Sequence, residues 1–189
     1  MVILGLVLWM WIVIVVIAIL LFMLIYYFNK FVILSNRIDN SLAQIDVQLK
    51  KRADLVPNLV EAVKGYMKHE RGVFSDIAKA RAAMLSAPDL AGRVKAGNEL
   101  QNALKSIFAL SERYPKLKAN ENFLQLQQEL SAIEDKVAYS RQYYNDNLLS
   151  YNTSCTTFPG NLFAGIFGRN VKPYLEIPLE EKAVPKVSF

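Results

Sequence analysis

The chain has 189 residues, of which 22 are Lys or Arg and 17 are Asp or Glu, giving a formal net charge of +5. The basic residues are scattered among nearly as many acids, with one compact cluster at Lys50-Lys51-Arg52. This distribution lacks the basic runs interleaved with aromatic residues that are typical of nucleic-acid binding, and a basic surface that faces anionic lipid explains it more simply. The single cysteine, Cys155, excludes an internal disulfide.

The chain opens with an uncharged apolar run from Met1 to Phe28, and its first charged side chain is Lys30. About 20 apolar helical residues cross a hydrocarbon core of about 30 Å, and one isolated segment satisfies its backbone in lipid only as a helix. We therefore predict a transmembrane helix over residues 1–28. A cleaved signal peptide is the alternative, but it requires a basic start, a shorter apolar stretch and a small-residue cleavage site.

All the basic residues follow the apolar run, beginning with Lys30 and Arg37. The positive-inside rule then predicts that the N-terminus lies outside the membrane and that the long C-terminal part lies in the cytoplasm. A lone thiol at Cys155 fits a reducing compartment.

Residues 29–157 carry a helical pattern that predicts a bundle. Apolar residues recur at alternating spacings of four and three, the period of a packed seam between helices. The seam positions are Phe31, Ser35, Ile38, Leu42, Ile45, Leu49, Arg52, Val56, Leu59, Val63 and Tyr66. We expect one helix over about residues 31–69, continuous with the anchor. A kink is expected near Pro57, because proline lacks a backbone donor and clashes with the preceding turn.

Three further helices are expected, at about residues 73–85, 90–113 and 120–151. Prolines after Ser86 and at Tyr114-Pro115 break the pattern, and Asn120 is a candidate N-cap for the last helix. Short connections favour antiparallel neighbours. The predicted fold class is therefore all-α, with a single N-terminal transmembrane helix that continues into an up-and-down antiparallel four-helix bundle.

An even number of helices returns the chain to the membrane, where residues 158–168 are uncharged and rich in Phe and Gly. This segment is too short to span a bilayer. The candidate membrane-contacting residues are Phe158, Leu162, Phe163, Ile166 and Phe167. Two interpretations stay open: these residues contact the bilayer interface, or the same residues without Phe167 cap the open end of the bundle core. The remainder to residue 189, with Pro173, Pro178 and Pro185, is expected to be an extended tail.

The sequence contains no complete motif for catalysis or metal binding. His69 is the single histidine, and Val73 stands where a zinc-protease motif needs the second one. Cys155 has no nearby histidine, and Gly92–Gly97 lacks the Lys-Ser or Lys-Thr of a phosphate loop. We predict that the protein is not an enzyme and that it takes no cofactor, no metal, no nucleic acid and no small-molecule substrate.

Six polar residues are candidates for an interaction surface: Arg52, Tyr143, Tyr144, Asn145, Tyr151 and Asn152. Arg52 occupies a seam position, where a charge is unfavourable unless it is paired. Its stem can extend to an exposed edge; if buried, it can pair with Glu134 or Asp135. The tyrosines and asparagines either form hydrogen bonds inside the core or offer a docking surface to another protein.

Several motifs together resemble the LemA family of bacterial membrane proteins. They are Arg37–Asn40, Ile45–Arg52, Asp54–Val60, Val63–Tyr66, His69-Glu70, Ala80-Arg81, Tyr114–Phe123, Arg141–Asn145, Tyr151-Asn152, Phe158-Pro159 and Val187–Phe189. The resemblance implies one N-terminal transmembrane helix with the N-terminus outside, and a cytoplasmic helical bundle at the bacterial inner membrane. It carries over no reaction, cofactor or catalytic residue.

The predicted function is a membrane-anchored, non-catalytic scaffold or adaptor. Its expected partners are the lipid bilayer, further copies of the chain and another membrane protein. Self-association is expected because the first helix outruns its shorter neighbours, which leaves part of its seam to be covered by a second copy. The alternative is a regulator or binding partner of a membrane protease or an envelope stress pathway, acting through the tyrosine and asparagine residues.

Overall fold

The computed structural model of the protein describes the backbone of residues 2–175 and the side chains of residues 5–175. This part of the chain forms six helices: α1 (Val2–Lys64), α2 (Arg71–Ser86), α3 (Leu90–Ser111), α4 (Pro115–Lys118), α5 (Glu121–Thr156) and α6 (Gly160–Ile166). Residues 2–175 contain no β-strand, and the all-α class is confirmed.

α1 is a helix of 63 residues that begins with the apolar run. Among residues 5–175 it is the one helix that is long and apolar enough to cross a membrane. Large side chains of its first part, such as Trp9 and Phe22, lie exposed on the protein. The expected helix that continues from the apolar run without a break is confirmed.

The end of α1 differs from the prediction, because the helix stops at Lys64 and not near His69. Gly65 follows directly, and glycine is about 1 kcal/mol less favourable than alanine inside a helix. The carbonyl of Val63 then accepts hydrogen bonds from the backbone N–H groups of both Tyr66 and Met67, each at 3.0 Å. The apolar seam runs past this glycine to Tyr66, which is why the spacing alone overextended the helix.

One compact unit spans Asn40–Tyr143. It holds α2, α3 and α4 with the adjoining parts of α1 and α5. Its core consists of buried apolar side chains: Ile45, Leu49, Val56, Leu59, Val63, Ile77, Met84, Leu100, Leu104, Ile107, Leu117, Phe123, Leu130, Ile133 and Val137. The Asn120 side chain accepts a 3.0 Å hydrogen bond from the Phe123 N–H, so the predicted N-cap of the last long helix is confirmed.

The connection between α3 and α5, where Tyr114-Pro115 breaks the predicted pattern, contains the short helix α4. Pro115 is its first residue. Proline suits that position because its backbone angle is already helical and its missing N–H is not needed there.

The other compact unit comprises residues 1–39 and 144–189, as far as these are described. Its buried apolar side chains include Phe31, Leu34, Ile38, Tyr144, Leu148, Tyr151 and Phe163. α5 reaches Thr156 here, beyond the predicted end near Tyr151. The hydroxyls of Ser154 and Thr156 donate to carbonyls four residues back, at 2.9 and 3.0 Å, so the polar side chains of this last turn bond to the helix itself.

α6 lies in the Phe- and Gly-rich segment, for which no helix was predicted. Its glycines and the flanking Pro159 mask a helical pattern of only seven residues. Residues 171–175, which include Pro173, form neither helix nor strand. The rest of the predicted extended tail, with Pro178, Pro185 and the family motif at its end, lies outside the described residues.

Candidate functional site

The Asn40–Tyr143 unit contains a buried polar network centred on Arg52 of α1, which is only 1% exposed. Arg52 Nη1 donates to the Gly97 carbonyl and to Gln101 Oε1, both at 3.3 Å. Gln101 Nε2 in turn donates to Glu134 Oε1 of α5. The prediction of an exposed edge for Arg52 is therefore wrong. Of the two acids considered as partners, the network contains Glu134, which is reached through Gln101.

A close approach of α3 to α1 explains why Arg52 is covered. A Cβ atom at Gly97 would lie 2.8 Å from Leu49 Cδ2, so the absence of a side chain at Gly97 lets the two helices meet. Gly97 and Gln101 are four residues apart and share one face of α3. That spacing is the signal in the sequence that points to them.

The neighbouring charges in this network have opposing effects on Arg52. Burial lowers the pKa of the Arg52 guanidinium, while the Glu134 carboxylate raises it and Arg141 lowers it again. Lys105 Nζ lies 3.5 Å from Glu134 Oε1, so Glu134 interacts with cations from both α1 and α3. Removing the Glu134 carboxylate would therefore leave the buried Arg52 guanidinium without its nearby opposite charge.

A cleft of about 130 Å³ lies beside the network and is lined by Arg52, Gln101, Lys105, Ser131 and Glu134, among others. Arg52 Nη2 is buried and has no hydrogen-bond partner among the described residues. Ordered water satisfies buried groups of this kind in proteins when the cavity is polar and large enough. The cleft offers charges and hydrogen bonds, and its described lining holds no thiol or imidazole.

Tyr144, Tyr151 and Asn152 are buried in the unit of residues 1–39 and 144–189. Asn152 Nδ2 donates to the Lys172 carbonyl and Asn152 Oδ1 accepts from the Lys172 N–H, both at 2.9 Å. This pair of bonds ties the chain that follows α6 to α5. For these three residues the burial favours hydrogen bonds inside the core over a docking surface.

The two remaining candidates are less buried. The side chain of Asn145 is partly exposed, although its Oδ1 is buried without a hydrogen-bond partner in the described part of the chain. Tyr143 is exposed. The six residues predicted as an interaction surface therefore do not form one surface patch.

Tyr151 and Cys155 are one turn apart on α5, and each side chain affects the pKa of the other. Burial raises the pKa of the Cys155 thiol, and the opposing effects of Tyr151, Arg169 and Lys172 are smaller. Burial also raises the pKa of the Tyr151 phenol. A thiol that stays protonated is a weak nucleophile, so this pair has the character of a structural contact.

α6 packs against the end of the apolar part of α1 through aromatic contacts. The rings of Tyr27 and Phe163 stack with centroids 4.9 Å apart and planes 7° apart. The rings of Phe28 and Phe167 meet edge to face at 5.4 Å. A Cβ atom at Gly160 would collide with the Ser154 carbonyl, so glycine is required where α6 begins.

The candidate membrane-contacting residues are thus divided. Phe163 is buried, and Phe167 is partly covered. Phe158, Leu162 and Ile166 are 80%, 56% and 67% exposed. The burial of Phe163 favours the capping interpretation for that residue, and the exposure of the other three favours contact with the bilayer interface.

Residues 5–175 contain no group of three or more His, Cys, Asp or Glu side chains that could hold a metal ion. His69 is exposed in the turn between α1 and α2.

These features define a class: all-helical proteins in which one N-terminal helix is long and apolar enough to cross a membrane and also contributes to the packed helical part. The model of the LemA family matches residues 41–189. The chain belongs to the LemA family, and the resemblance seen in its motifs is confirmed.

The chain is also similar to several curated relatives. It is 24% identical to magnetosome protein MamQ 2 of Paramagnetospirillum magneticum, over 79% of this chain and 64% of that protein. It is 26% identical to protein LemA of Metamycoplasma hominis, over 68% of this chain and 59% of that protein. A third relative is magnetosome protein MamQ of Magnetospirillum gryphiswaldense, at 24% identity over 80% and 65%. The chain thus spans slightly less than two thirds of the length of these relatives.

Proposed function

We propose that the protein is a membrane-anchored, non-catalytic scaffold or adaptor that presents an up-and-down four-helix bundle to the cytoplasm. One observation carries the proposal: α1 contains both the apolar run and buried core residues in a single helix from Val2 to Lys64. The same helix therefore supplies the anchor and part of the helical core. The names of the relatives are not those of enzymes, which supports a non-catalytic role.

The interior of the described chain supports this role as well. Its buried polar groups, Arg52 with Gln101 and Asn152 with the Lys172 backbone, bond to one another. Their hydrogen bonds join helices or tie a segment to a helix, as expected of groups that specify packing. The Cys155 thiol is held protonated by burial, which weakens its candidacy as a nucleophile.

The orientation belongs to the proposal. Lys30, Arg37 and the cluster at residues 50–52 follow the apolar run, which favours a cytoplasmic C-terminal part at the bacterial inner membrane. Reporter fusions after residue 189 test this in living cells. A green fluorescent protein fusion should fluoresce and an alkaline phosphatase fusion should be inactive, whereas an active phosphatase would contradict the orientation.

The expectation of self-association rested on an uncovered part of the apolar seam. Eight of the eleven predicted seam positions are buried within the chain: Phe31, Ile38, Ile45, Leu49, Arg52, Val56, Leu59 and Val63. Because most of the seam is covered within the chain, we propose that self-association uses another surface. Light scattering of the detergent-solubilised full chain tests this part; a monomeric mass at every concentration would remove it.

The scaffold role requires contacts with other proteins through exposed residues. A photo-crosslinking amino acid at the exposed positions Tyr139 and Leu85 should give discrete adducts in cells that carry the full chain. Absence of adducts at both positions would count against the role. The alternative function, regulation of a membrane protease through tyrosines and asparagines, would act through Tyr143 and Asn145, because Tyr144, Tyr151 and Asn152 are buried.

A further inference from the structure

We propose that α6 and the preceding Phe158 form a second membrane contact, seated in the headgroup region beside the end of the α1 anchor. The proposal rests on the proposed function in one respect, namely that the apolar part of α1 spans a membrane. It adds a lipid-facing site on a separate segment near the end of the described chain.

The position of α6 along α1 is the first argument. The uncharged run of α1 ends at Phe28, and Lys30 is the first charge. Phe163 and Phe167 of α6 pack on Tyr27 and Phe28. Tyrosine and lysine at the end of a membrane-spanning run lie at the membrane–water interface, so a helix packed at this level lies at the interface too.

The exposed side of α6 is the second argument. Leu162 and Ile166 are four residues apart and therefore share a face of the helix. They are 56% and 67% exposed, and Phe158 just before the helix is 80% exposed. These three side chains form the exposed apolar patch. Its composition suits a surface that is apolar on one side and wet on the other.

The third argument is charge, which favours lipid as the partner of the exposed apolar patch. The chain carries no charged side chain between Asp146 and Arg169, so no charge within the segment that holds the patch opposes its entry into lipid. Basic residues lie in the same compact unit: Lys30 Nζ is 5.7 Å from the centre of the Tyr27 ring, and Arg169 and Lys172 follow α6 within six residues. Cations beside an apolar patch match the anionic headgroups of a bilayer.

The short length of α6 does not prevent its contact with the membrane. A helix of seven residues binds membranes weakly on its own, because binding grows with the buried apolar area. Here α6 is held on the anchor by the Tyr27–Phe163 stack, so its contact with lipid is intramolecular and benefits from a high effective concentration.

The test uses the full chain in vesicles of phosphatidylcholine and phosphatidylglycerol at a low protein-to-lipid ratio. In a Cys155→Ser background, Ile166→Cys is labelled with an environment-sensitive fluorophore, and Leu162→Cys provides a second labelled variant. Leu85→Cys in α2 is the matched control, since Leu85 is also an exposed apolar residue but belongs to the other unit. Circular dichroism of each variant checks that the fold is kept.

We expect the label at Ile166 or Leu162 to show blue-shifted emission, quenching by lipids that carry a shallow nitroxide, and severalfold less quenching by aqueous iodide than the label at Leu85. Equal iodide quenching at the three positions would overturn the inference. Protection from iodide without quenching by labelled lipid would also overturn it, because the patch would then be covered by protein.

A separate measurement tests whether the apolar run of α1 spans the membrane. Trp9 and Trp11 lie in the apolar run, and in the unlabelled chain their fluorescence should be quenched by lipids brominated in the acyl chains. Loss of that quenching would overturn the proposed anchor together with this inference. Quenched tryptophans combined with a water-exposed label at Ile166 would overturn the α6 contact alone.

Discussion

Arg81 of α2 donates a 2.8 Å hydrogen bond from Nε to the carbonyl oxygen of Ala53 in α1. Ala53 stands four residues before Pro57, and in a regular helix its carbonyl would accept from the N–H of residue 57. Proline has no N–H. The side chain of Arg81 therefore supplies the donor that Pro57 lacks, and α1 continues as a helix through the proline.

We predict that Arg81→Ala lowers the free energy of unfolding by about 1–3 kcal/mol, because a buried carbonyl loses its partner. In a Pro57→Ala background the loss should be smaller, since residue 57 then donates to Ala53 itself. Denaturant unfolding of the full chain in detergent, followed by circular dichroism, measures both values. An equal loss in the two backgrounds would show that Arg81 does not compensate for Pro57.

The Arg52 network predicts that Glu134, and not Asp135, contributes to the free energy of unfolding. Glu134→Gln should lower the free energy of unfolding by about 1–3 kcal/mol, because it leaves Arg52 buried without a nearby carboxylate. Asp135→Asn is the matched control, since Asp135 is exposed, and it should change stability by less than about 0.5 kcal/mol.

A compensating substitution sharpens this test. Arg52→Met combined with Glu134→Gln removes both charges and keeps most of the side-chain volume, so it should recover part of the stability lost in Glu134→Gln. The same unfolding measurement decides the point. A double variant that is less stable than Glu134→Gln alone would contradict the assigned pairing.

Two glycines of α6 should respond oppositely to alanine. A Cβ atom at Gly160 would collide with the Ser154 carbonyl and approach the Tyr27 ring, whereas one at Gly165 meets nothing within 4 Å. Gly160→Ala should therefore release α6 and increase hydrogen exchange of its amides, while Gly165→Ala should leave exchange unchanged or stabilise the helix by up to about 1 kcal/mol. Similar exchange in both variants would contradict the packing described for α6.

Alkaline pH should destabilise the protein through its buried phenols. Burial raises the pKa of Tyr144, and the charge of Asp39 adds to this. A raised pKa in the folded state means that this contribution to stability is complete below the unfolded value of about 10 and is lost as the pH rises through the folded value.

Tyr144→Phe should make the fall in unfolding free energy above about pH 10 less steep. Tyr139→Phe provides the control, because Tyr139 is 68% exposed and its substitution should leave the pH profile as it is. Unfolding curves between neutral and alkaline pH compare the three chains. Identical slopes for all of them would rule out Tyr144 as the group responsible.

The long helices could be predicted from the sequence because their signals are local. The alternating spacing of apolar residues locates α1 and α5, and Asn120 marks the start of α5 through its side-chain bond to the Phe123 N–H. Family membership followed from motifs spread along the chain, and the family model matches residues 41–189.

The features that were missed depend on contacts between residues far apart in sequence. Arg52 is covered only because Gly97 lets α3 approach closely, and a long basic side chain has no local signal that separates this from an exposed edge. In the sequence Arg81 resembles an ordinary charged residue on a helix surface. Only the structure shows that its side chain bonds to the carbonyl that Pro57 leaves without a donor. α6 depends on Phe163 stacking on Tyr27, which no spacing within seven residues reveals.

The central claim is that the apolar run stays attached and holds the protein in a membrane. Cells that express the chain can be fractionated, the membranes washed with alkaline carbonate, and the intact mass of the protein measured in both fractions. We expect the protein in the washed membrane pellet at the full mass of about 21.4 kDa. A shorter protein in the soluble fraction, lacking the first 28 residues, would contradict the account.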